Sequence, residues 1–473
     1  MIGALAWSSV NMFGIQAVQL VIGIILARVL MPDDFGLVGV LFIFIGLSTV
    51  LIDSGFAQGL IRKQDATNKD YSTVFFLNLM IAVVVYLVLF FASPLIAGFF
   101  NHQELISLSR VLFIAVLIFP FYLIQQVYLL KKPDYKSMAI VNIASVGLSG
   151  ALAIYMALHQ YGPWALVWQQ ITFHLFKAVL FPFFVKWKPD FCFSTETVRG
   201  LWKFSAPLLG QSLLNVIFNQ LYMIIIGRFY PMKQAGYFAQ ANKYSETVNA
   251  ATQGILNYSV FPMFSTIQDD KERSLRIYRK LTVSTSLLTF PLVAFLVIAA
   301  EPIIITLISE KWINSILMFQ LLLIANLFTP LYTINISVLN AGGESVNTLK
   351  LEIIKKSFIT LSVFATFSFG IHWMLAGFVF ANMLAYLISM FYIKKSLQHY
   401  YRHQVLDIVI VLLIVAFTGA ICYFANLLNM NYIYKLIVLT FSFLIIYVGL
   451  LIIFKREVVV EIAQKITKTI LRK

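Results

Sequence analysis

Apolar runs of about twenty residues follow one another along nearly the whole chain, and this feature constrains the fold most. A bilayer core about 30 Å thick takes roughly 20 helical residues to cross. Strands of a membrane barrel would alternate polar and apolar residues in units of about ten, and the runs show no such alternation. The sequence predicts an all-α integral membrane protein of about fourteen transmembrane helices, at residues 3–27, 35–61, 71–98, 105–130, 138–158, 162–185, 200–228, 235–267, 277–300, 313–340, 346–370, 373–396, 404–426 and 433–454.

The composition agrees with a chain that lies almost entirely in lipid. Hydrophobic residues make up 60% of the 473 and charged residues 12%, against about 45–50% and roughly 25% in soluble domains. No segment between the runs is long enough to form a water-soluble core. The first run begins without a basic segment, so we do not expect a cleaved signal peptide. Cys192 and Cys422 have no partner motif and are interpreted as small apolar residues.

The 35 basic residues are distributed unevenly between alternate loops. The loops near 62–70, 131–136, 186–203, 268–280, 341–350 and 394–403, with the tail from Lys455, hold 25 of them. The opposite loops and helix ends hold six, and four fall inside predicted helices. Basic residues concentrate on the cytoplasmic side of multi-span proteins. The sequence therefore predicts a multi-pass bacterial inner-membrane protein with both termini in the cytoplasm and without a nucleic-acid partner.

The chain also contains an internal repeat. Features recur in the same order at offsets of 200 to 210: Arg28 and Gly36 with Arg228 and Gly236, Pro94 with Pro302, Pro120 and Tyr122 with Pro330 and Tyr332, and Trp164 with Trp373. Units with an even number of spans share one orientation, so the pseudo-axis runs along the membrane normal. We predict two homologous six-helix lobes (1–190 and 191–398) in parallel repeat around a central cavity, two additional transmembrane helices (399–456) and a basic cytoplasmic tail (457–473).

Polar residues inside a span are costly and face protein or water, so they indicate which helices line the cavity. In the seventh predicted helix, Gln211, Asn215 and Asn219 follow one another at four-residue intervals, on one face. Asn11 and Gln19 repeat two of these positions in the first helix. Such amides also form ordinary hydrogen bonds between helices, and the sequence leaves both interpretations open.

The eighth predicted helix carries the most polar side chains of any span, too many for a helix that faces lipid. They are Gln240, Asn242, Lys243, Ser245, Glu246, Thr247, Asn249, Thr252, Gln253 and Asn257. The corresponding second helix is apolar except for Asp53, which we expect opposite Gln253. These positions are predicted to line the cavity.

Each charge at a helix centre costs on the order of 2.5–3.5 kcal/mol on insertion scales. Lys243 and Glu246 are three residues apart and could neutralise each other on one helix face. Glu352 precedes Lys355 and Lys356 by three and four residues and could neutralise them in the same way. Those two lysines could also extend to the cytosol, whereas Lys177 has no acid within reach on its own helix. The predicted spans contain four lysines and three acids, and this excess of positive charge favours an anionic ligand. The charged residues are Asp53, Lys177, Lys243, Glu246, Glu352, Lys355 and Lys356.

Several segments together resemble the Wzx-type polysaccharide flippases, most closely the WzxC-like branch. The resemblance covers about residues 3–400, and no single segment is diagnostic. Relatives usually begin with a short basic segment, whereas the first basic residue here is Arg28, which suggests a trimmed start. The segments are Ala27–Leu30 with Pro32 and Asp34–Gly36, Leu51–Lys63, Asp70–Thr73, Phe261–Pro262, Gln268–Asp270, Arg279–Leu281, Glu301–Pro302, Glu310–Trp312 and Leu351–Lys356.

The resemblance implies a two-lobed flippase of the multidrug/oligosaccharidyl-lipid/polysaccharide (MOP) exporter superfamily. Such a protein moves an undecaprenyl-pyrophosphate-linked oligosaccharide across the membrane by alternating access. Its partners would be this substrate, membrane lipids and, as a candidate, the polysaccharide polymerase or export machinery. The resemblance assigns no catalytic residues to this sequence.

Two alternatives share the fold: a lipid II flippase, which the family segments disfavour, and a drug/cation antiporter, which the two extra helices and the lysine excess disfavour. A membrane glycosyltransferase or polymerase would need a sizeable external loop with catalytic residues. The external loops here are about ten residues or shorter. With no nucleophile–base constellation and no metal-ligand spacing, we expect no enzyme, cofactor or metal.

Overall fold

The structure is a computed structural model that describes residues 2–267, 270–398, 401–426 and 430–454. Gln268, Asp269 and the predicted tail lie outside this part. Regular structure in the described residues is helical: α1 (Ile2–Val29), α2 (Pro32–Gly39), α3 (Phe42–Asp53), α4 (Phe56–Arg62), α5 (Asn68–Phe100), α6 (Leu105–Leu112), α7 (Ile114–Ile118), α8 (Pro120–Lys131), α9 (Tyr135–Leu158), α10 (Pro163–Phe184), α11 (Thr195–Phe229), α12 (Met232–Ser265), α13 (Lys271–Ile298), α14 (Ala300–Ile308), α15 (Ile316–Ala325), α16 (Thr329–Ala341), α17 (Ser345–Thr366), α18 (Ile371–Leu397), α19 (Tyr401–Asn426) and α20 (Tyr432–Phe454), with 3-10 turns at Glu310–Ser315 and Phe367–Phe369.

Several of the predicted runs are broken helices rather than single straight ones. The second run consists of α2, α3 and α4, and the break before α4 lies at Ser54 and Gly55, which have left-handed φ angles of 46° and 74°. The fourth run bends by 41° where Pro120 begins α8. Proline has no amide hydrogen to donate and clashes with the preceding turn, so a bend at this position is expected.

Ten helical stretches of the described chain are long and apolar enough to cross a membrane, or eleven if the bent α6–α8 run is one span. The all-helical, multi-pass prediction is therefore confirmed, while the number fourteen stays a prediction. The remaining predicted spans coincide with α10, α12 and α17, which form helices but are less apolar. These three helices carry Lys177, the polar residues of the eighth predicted helix, and Glu352 with its two lysines. The polar side chains that led to the prediction of a cavity therefore also lower the mean hydropathy of these three helices.

The chain forms two compact units, Met1–Gln240 and Ala241–Lys473. In the first unit α9 packs along α1 and α10. Glycine permits this approach, because a Cβ atom at Gly150 would lie 2.0 Å from Cδ1 of Ile22, and one at Gly14 would lie 2.7 Å from Cδ1 of Ile143. Small residues at interfaces are what allows helices to pack closely inside a bilayer.

In the same unit α11 lies along α2–α4, again over glycines. Cβ atoms placed at these glycines would meet α11 at three successive levels: Gly39 with Met223 at 2.3 Å, Gly46 with Val216 at 3.1 Å and Gly59 with Leu201 at 3.2 Å. The first compact unit therefore includes α11, the first helix of the predicted second lobe. The lobe boundary near residue 190 describes the sequence repeat and stays a prediction.

The second unit has a core that includes α19 and α20. Tyr278 donates a hydrogen bond to Asn335 (2.9 Å), whose amide donates to Ser389 (2.7 Å), and all three residues are buried. Tyr447 of α20 donates to the carbonyl oxygen of Leu287 at 2.8 Å. The two additional C-terminal helices are thus an integral part of this unit.

Candidate functional site

Lys177 of α10 is buried in the first unit and surrounded by aromatic rings. Its Nζ lies 4.4 Å from the ring centroid of Tyr122, 5.3 Å from that of Phe173 and 5.8 Å from that of Phe181. The described residues place no carboxylate within salt-bridge distance of it. A desolvated cation over an aromatic face gains about 2 kcal/mol, so the rings, and not an acid, stabilise the charge.

The hydroxyl of Tyr122 holds the tyrosine ring in place beneath Lys177. It lies 2.7 Å from Nδ1 of His174, one turn before Lys177 on α10, and the two rings stack. His174 is buried as well. A buried hydroxyl that has a hydrogen-bond partner keeps its ring in one orientation, so Tyr122 presents a defined face to the lysine.

The second unit contains a similar pair. The buried Tyr332 of α16 carries Lys355 of α17 over its ring, with Nζ 4.6 Å from the centroid, and its hydroxyl donates to Oε1 of Glu352 at 3.0 Å. Glu352 and Glu246 attract Lys355 electrostatically, and Lys356 repels it. In contrast to Lys177, Lys355 therefore has acidic neighbours.

Tyr122 and Tyr332 are the two tyrosines that correspond in the sequence repeat. Each follows a proline in the first turn of its helix, Pro120 in α8 and Pro330 in α16. Each carries a lysine on its ring and a polar partner on its hydroxyl, although the lysines come from helices that do not correspond. The repeat identified the tyrosines, but the sequence analysis did not assign them to the site, because the lysine positions have no common offset.

On α12 the expected pair of Lys243 and Glu246 does not form. Both side chains are exposed, and Glu246 is attracted to Lys355 without forming an ion pair with it in the described residues. Lys243 has no ion pair among the described residues. Lys243 is thus an exposed cation in the polar stretch of α12, and the acid three residues away does not pair with it.

Further along α12, two amides have unsatisfied oxygens. Oδ1 of Asn249 and Oε1 of Gln253 are buried without a hydrogen-bond partner in the part of the chain that the structure describes. Buried polar atoms in proteins are normally paired with protein or ordered water. These oxygens therefore mark α12 as a helix suited to contact water or a polar ligand. The side chain of Asn257 lies outside the described residues.

The predicted amides of α1 and α11 divide into two groups. Oδ1 of Asn11 accepts a hydrogen bond from Asn142 of α9 at 3.1 Å, which supports the interhelical role for this residue. Gln19 is exposed, as is the stripe on α11: Gln211, Asn215 and Asn219. A polar stripe at membrane depth is stable only against water or protein, which keeps α11 a candidate for lining a polar surface.

Asp53 and Lys356 have local roles in the structure. Asp53 ends α3 and accepts a hydrogen bond from the backbone amide of Ala57 at 3.0 Å, which stabilises the break before α4. Lys356 is half-buried beside Lys355. The expectation that Asp53 lies opposite Gln253 concerns both compact units and stays a prediction.

The segment Asp70–Thr73, part of the family resemblance, binds the connector between α10 and α11. Side chains of the first turns of α5 pair with residues that are more than one hundred positions away in sequence. Four oxygen atoms of α5 accept hydrogen bonds from the connector and the start of α11: Asp70 Oδ1 accepts from Thr197 Oγ1 (2.7 Å), Ser72 Oγ from the backbone amide of Asp190 (2.9 Å), Thr73 Oγ1 from the backbone amide of Ser194 (3.1 Å), and Asn68 Oδ1 from Trp187 Nε1 (2.6 Å). This motif therefore fixes the start of α11.

Asp70 is the hub of this connection. It forms an ion pair with Lys63 at 2.8 Å, accepts from the amide of Thr67 at 2.9 Å, and is 3% exposed. It adjoins a cavity of about 670 Å³ whose lining also includes Arg62, Lys69 and Glu196. With three basic and three acidic side chains in its lining, this cavity has no net preference for either sign of charge.

We expect Asp70→Asn to lower the midpoint of thermal unfolding by several degrees. The amide keeps the shape but loses the charge, and hydrogen bonds to charged groups contribute about 1.5–3 kcal/mol. Asp65→Asn is the matched control, because Asp65 lines the same cavity but is exposed. The two midpoints are measured in the same detergent, and equal values would show that Asp70 does not hold the connector.

Comparison with known proteins supplies the family. The model described as "Polysaccharide biosynthesis protein" matches residues 25–317, more than half of the chain. The chain is 28% identical over 342 residues to the teichuronic acid biosynthesis protein TuaB of Bacillus subtilis, covering 72% of this chain and 71% of TuaB. It is 25% identical over 410 residues to the lipopolysaccharide biosynthesis protein WzxC of Escherichia coli, covering 85% and 82%.

Solved structures supply the fold. The lipid II flippase MurJ in an inward closed conformation superposes with a TM-score of 0.74 over 96% of this chain and 99% of MurJ, at 16% identity. At that identity the likeness concerns the fold, which is that of the MOP superfamily. The resemblance seen in the sequence is confirmed: this chain is a multi-pass membrane protein with the MOP fold and belongs to the polysaccharide biosynthesis protein family.

Proposed function

We propose that the protein translocates undecaprenyl-pyrophosphate-linked oligosaccharide repeat units across the inner membrane by alternating access, for polysaccharide biosynthesis. The observation that carries the proposal is Lys243, an exposed lysine without an ion pair among the described residues, on the most polar helix of a chain from this family. A pyrophosphate diester carries two negative charges and would supply the missing counter-charge.

Two side chains further along α12 suit the rest of the substrate. Sugars present hydroxyl groups, and the amides of Asn249 and Gln253 can donate to them and accept from them. A cationic substrate would instead need free carboxylates. Glu352 accepts a hydrogen bond from Tyr332 and attracts Lys355, so one of the two acids predicted for the cavity in this unit has partners within the protein, which disfavours a drug/cation antiporter.

In the proposed role the chain has the fourteen spans that the sequence predicts. Helices α10, α12 and α17 are then spans whose polar faces are turned away from lipid, in two six-helix lobes around a central cavity. Both termini lie in the cytoplasm, because 25 basic residues lie in one set of loops and six in the other. In this role the protein is a transporter without a cofactor, and a polysaccharide polymerase is its candidate partner.

Deletion of the gene tests the proposal. We expect an undecaprenyl-pyrophosphate-linked oligosaccharide to accumulate in the inner leaflet, because its synthesis continues while its export stops. Mass spectrometry of the lipid extract identifies it, and a plasmid copy of the gene should remove it. Accumulation of lipid II alone would assign the protein to that flippase function, and an unchanged lipid pool would contradict the proposal.

A further inference from the structure

Two glycines that correspond in the repeat pack against each other's backbone. A Cβ atom at Gly36 of α2 would lie 2.2 Å from the carbonyl oxygen of Met232, and one at Gly236 of α12 would lie 1.7 Å from the carbonyl oxygen of Pro32. Pro32 and Met232 are themselves 200 residues apart, as are the glycines. Each copy therefore contacts the other through the same pair of positions, and we name this the reciprocal glycine contact.

This reciprocity is the geometry of a two-fold axis. In an isologous interface residue i contacts j while j contacts i, and here the rule holds within one chain and within one compact unit. Gly39 continues the pattern, since a Cβ there would lie 3.6 Å from that of Ala239, again 200 residues away. The pseudo-axis inferred from the repeat therefore passes through this contact.

The contact is sealed but lies next to the surface. Pro32, Gly36, Met232 and Gly236 are all buried, whereas the preceding Met31 is 60% exposed. Solvent thus stops within one residue of the contact. In the proposed orientation these turns lie on the non-cytoplasmic side, where Arg28 and Arg228 belong to the smaller set of basic residues.

A contact of this kind can open at low cost. Glycine has no side chain to interlock, so the fit depends on the shape of two backbones and on the side chain of Met232, whose Cγ would lie 2.9 Å from a Cβ at Gly36. Dispersion contacts are short-ranged, and a gap of about 0.5–1 Å already loses a quarter to a half of each. A small displacement of the two backbones would therefore break the seal.

We propose that the reciprocal glycine contact is a gate, which closes the non-cytoplasmic end of the substrate path and has to break and re-form in each transport cycle. The inference rests on the proposed function for its alternating access. The closure is placed at Gly36 and Gly236, and both residues are glycine because any side chain there would hold the gate open.

The first test measures opening directly, with Met232→Cys as reporter in a Cys192→Ser, Cys422→Ser background. The introduced thiol would be covered by Gly36 when the gate is closed. We expect Gly236→Ala to raise the rate of maleimide labelling roughly tenfold in purified protein in nanodiscs, the ratio that about 1.4 kcal/mol of overpacking produces. Gly98→Ala is the control, since a Cβ there meets nothing within 4 Å. Equal rates in the folded variants would overturn the gate.

The second test leaves both glycines in place and does not depend on the folding of their variants. Cells that carry the Met232→Cys reporter receive an impermeant maleimide from outside. We expect labelling while polysaccharide is made and much slower labelling when its synthesis is blocked before the export step. Absence of labelling in exporting cells would show that the contact stays closed. Failure of the proposed function would appear instead in the lipid extract of the deletion strain.

Discussion

Replacing Lys243 with alanine is expected to lower the initial rate of substrate flipping roughly 10- to 100-fold, while the amount of protein in the membrane stays the same. The exposed ammonium group has no carboxylate partner in the described structure, so its removal leaves no buried charge behind. A charge-assisted hydrogen bond to the pyrophosphate would contribute about 1.5–3 kcal/mol, which sets the size of the loss. Lys243→Arg keeps the charge and should be milder.

Lys233→Ala is the matched control for this experiment. Lys233 is exposed on the same helix, close to its start, and outside the predicted cavity, so its removal should leave the flipping rate unchanged. Rates are measured in sealed vesicles at sub-saturating substrate and normalised to the amount of protein. Loss of protein in Lys243→Ala would show a structural role, and an unchanged rate would remove Lys243 from the site.

The membrane potential alone is expected to bias export by about a thousandfold at equilibrium. The pyrophosphate carries about two negative charges and leaves a compartment that is electrically negative. Each charge that crosses gains about 2.3 kcal/mol per 100 mV, so outward movement gains on the order of 4–5 kcal/mol at that potential. The lysines reduce this gain only if they cross the membrane with the substrate, and as parts of helices they mostly stay in place.

A potassium diffusion potential set with valinomycin tests this prediction in vesicles that contain the purified protein. Flipping should accelerate when the potential is negative on the side from which the substrate leaves, and slow when the potential is reversed. The control is the same vesicles without an ion gradient. Flipping that ignores the potential but follows a proton or sodium gradient would show that an ion, and not the substrate's own charge, supplies the driving force.

The sequence by itself determined the class of fold, the positions of most helices and the family. Hydropathy is a local property that is read against a fixed bilayer thickness, so apolar runs such as Asn68–Phe100 could be located without any tertiary information. The polar character of α12 was equally visible. Helix breaks were harder to locate, because the left-handed turn at Ser54 and Gly55 interrupts a run that stays apolar on both sides.

Only the tertiary structure decided which of these residues meet. Lys177 and Lys355 reach corresponding tyrosines from helices that do not correspond, and Lys243 forms no ion pair with Glu246 in the described residues although the two are three residues apart. The contact between Pro32 and Gly236 likewise joins turns two hundred residues apart. Hydropathy and local spacing specify that a residue avoids lipid but not which partner it finds. That choice depends on how closely the backbones of distant helices approach, which the glycines and the packing of whole helices set together.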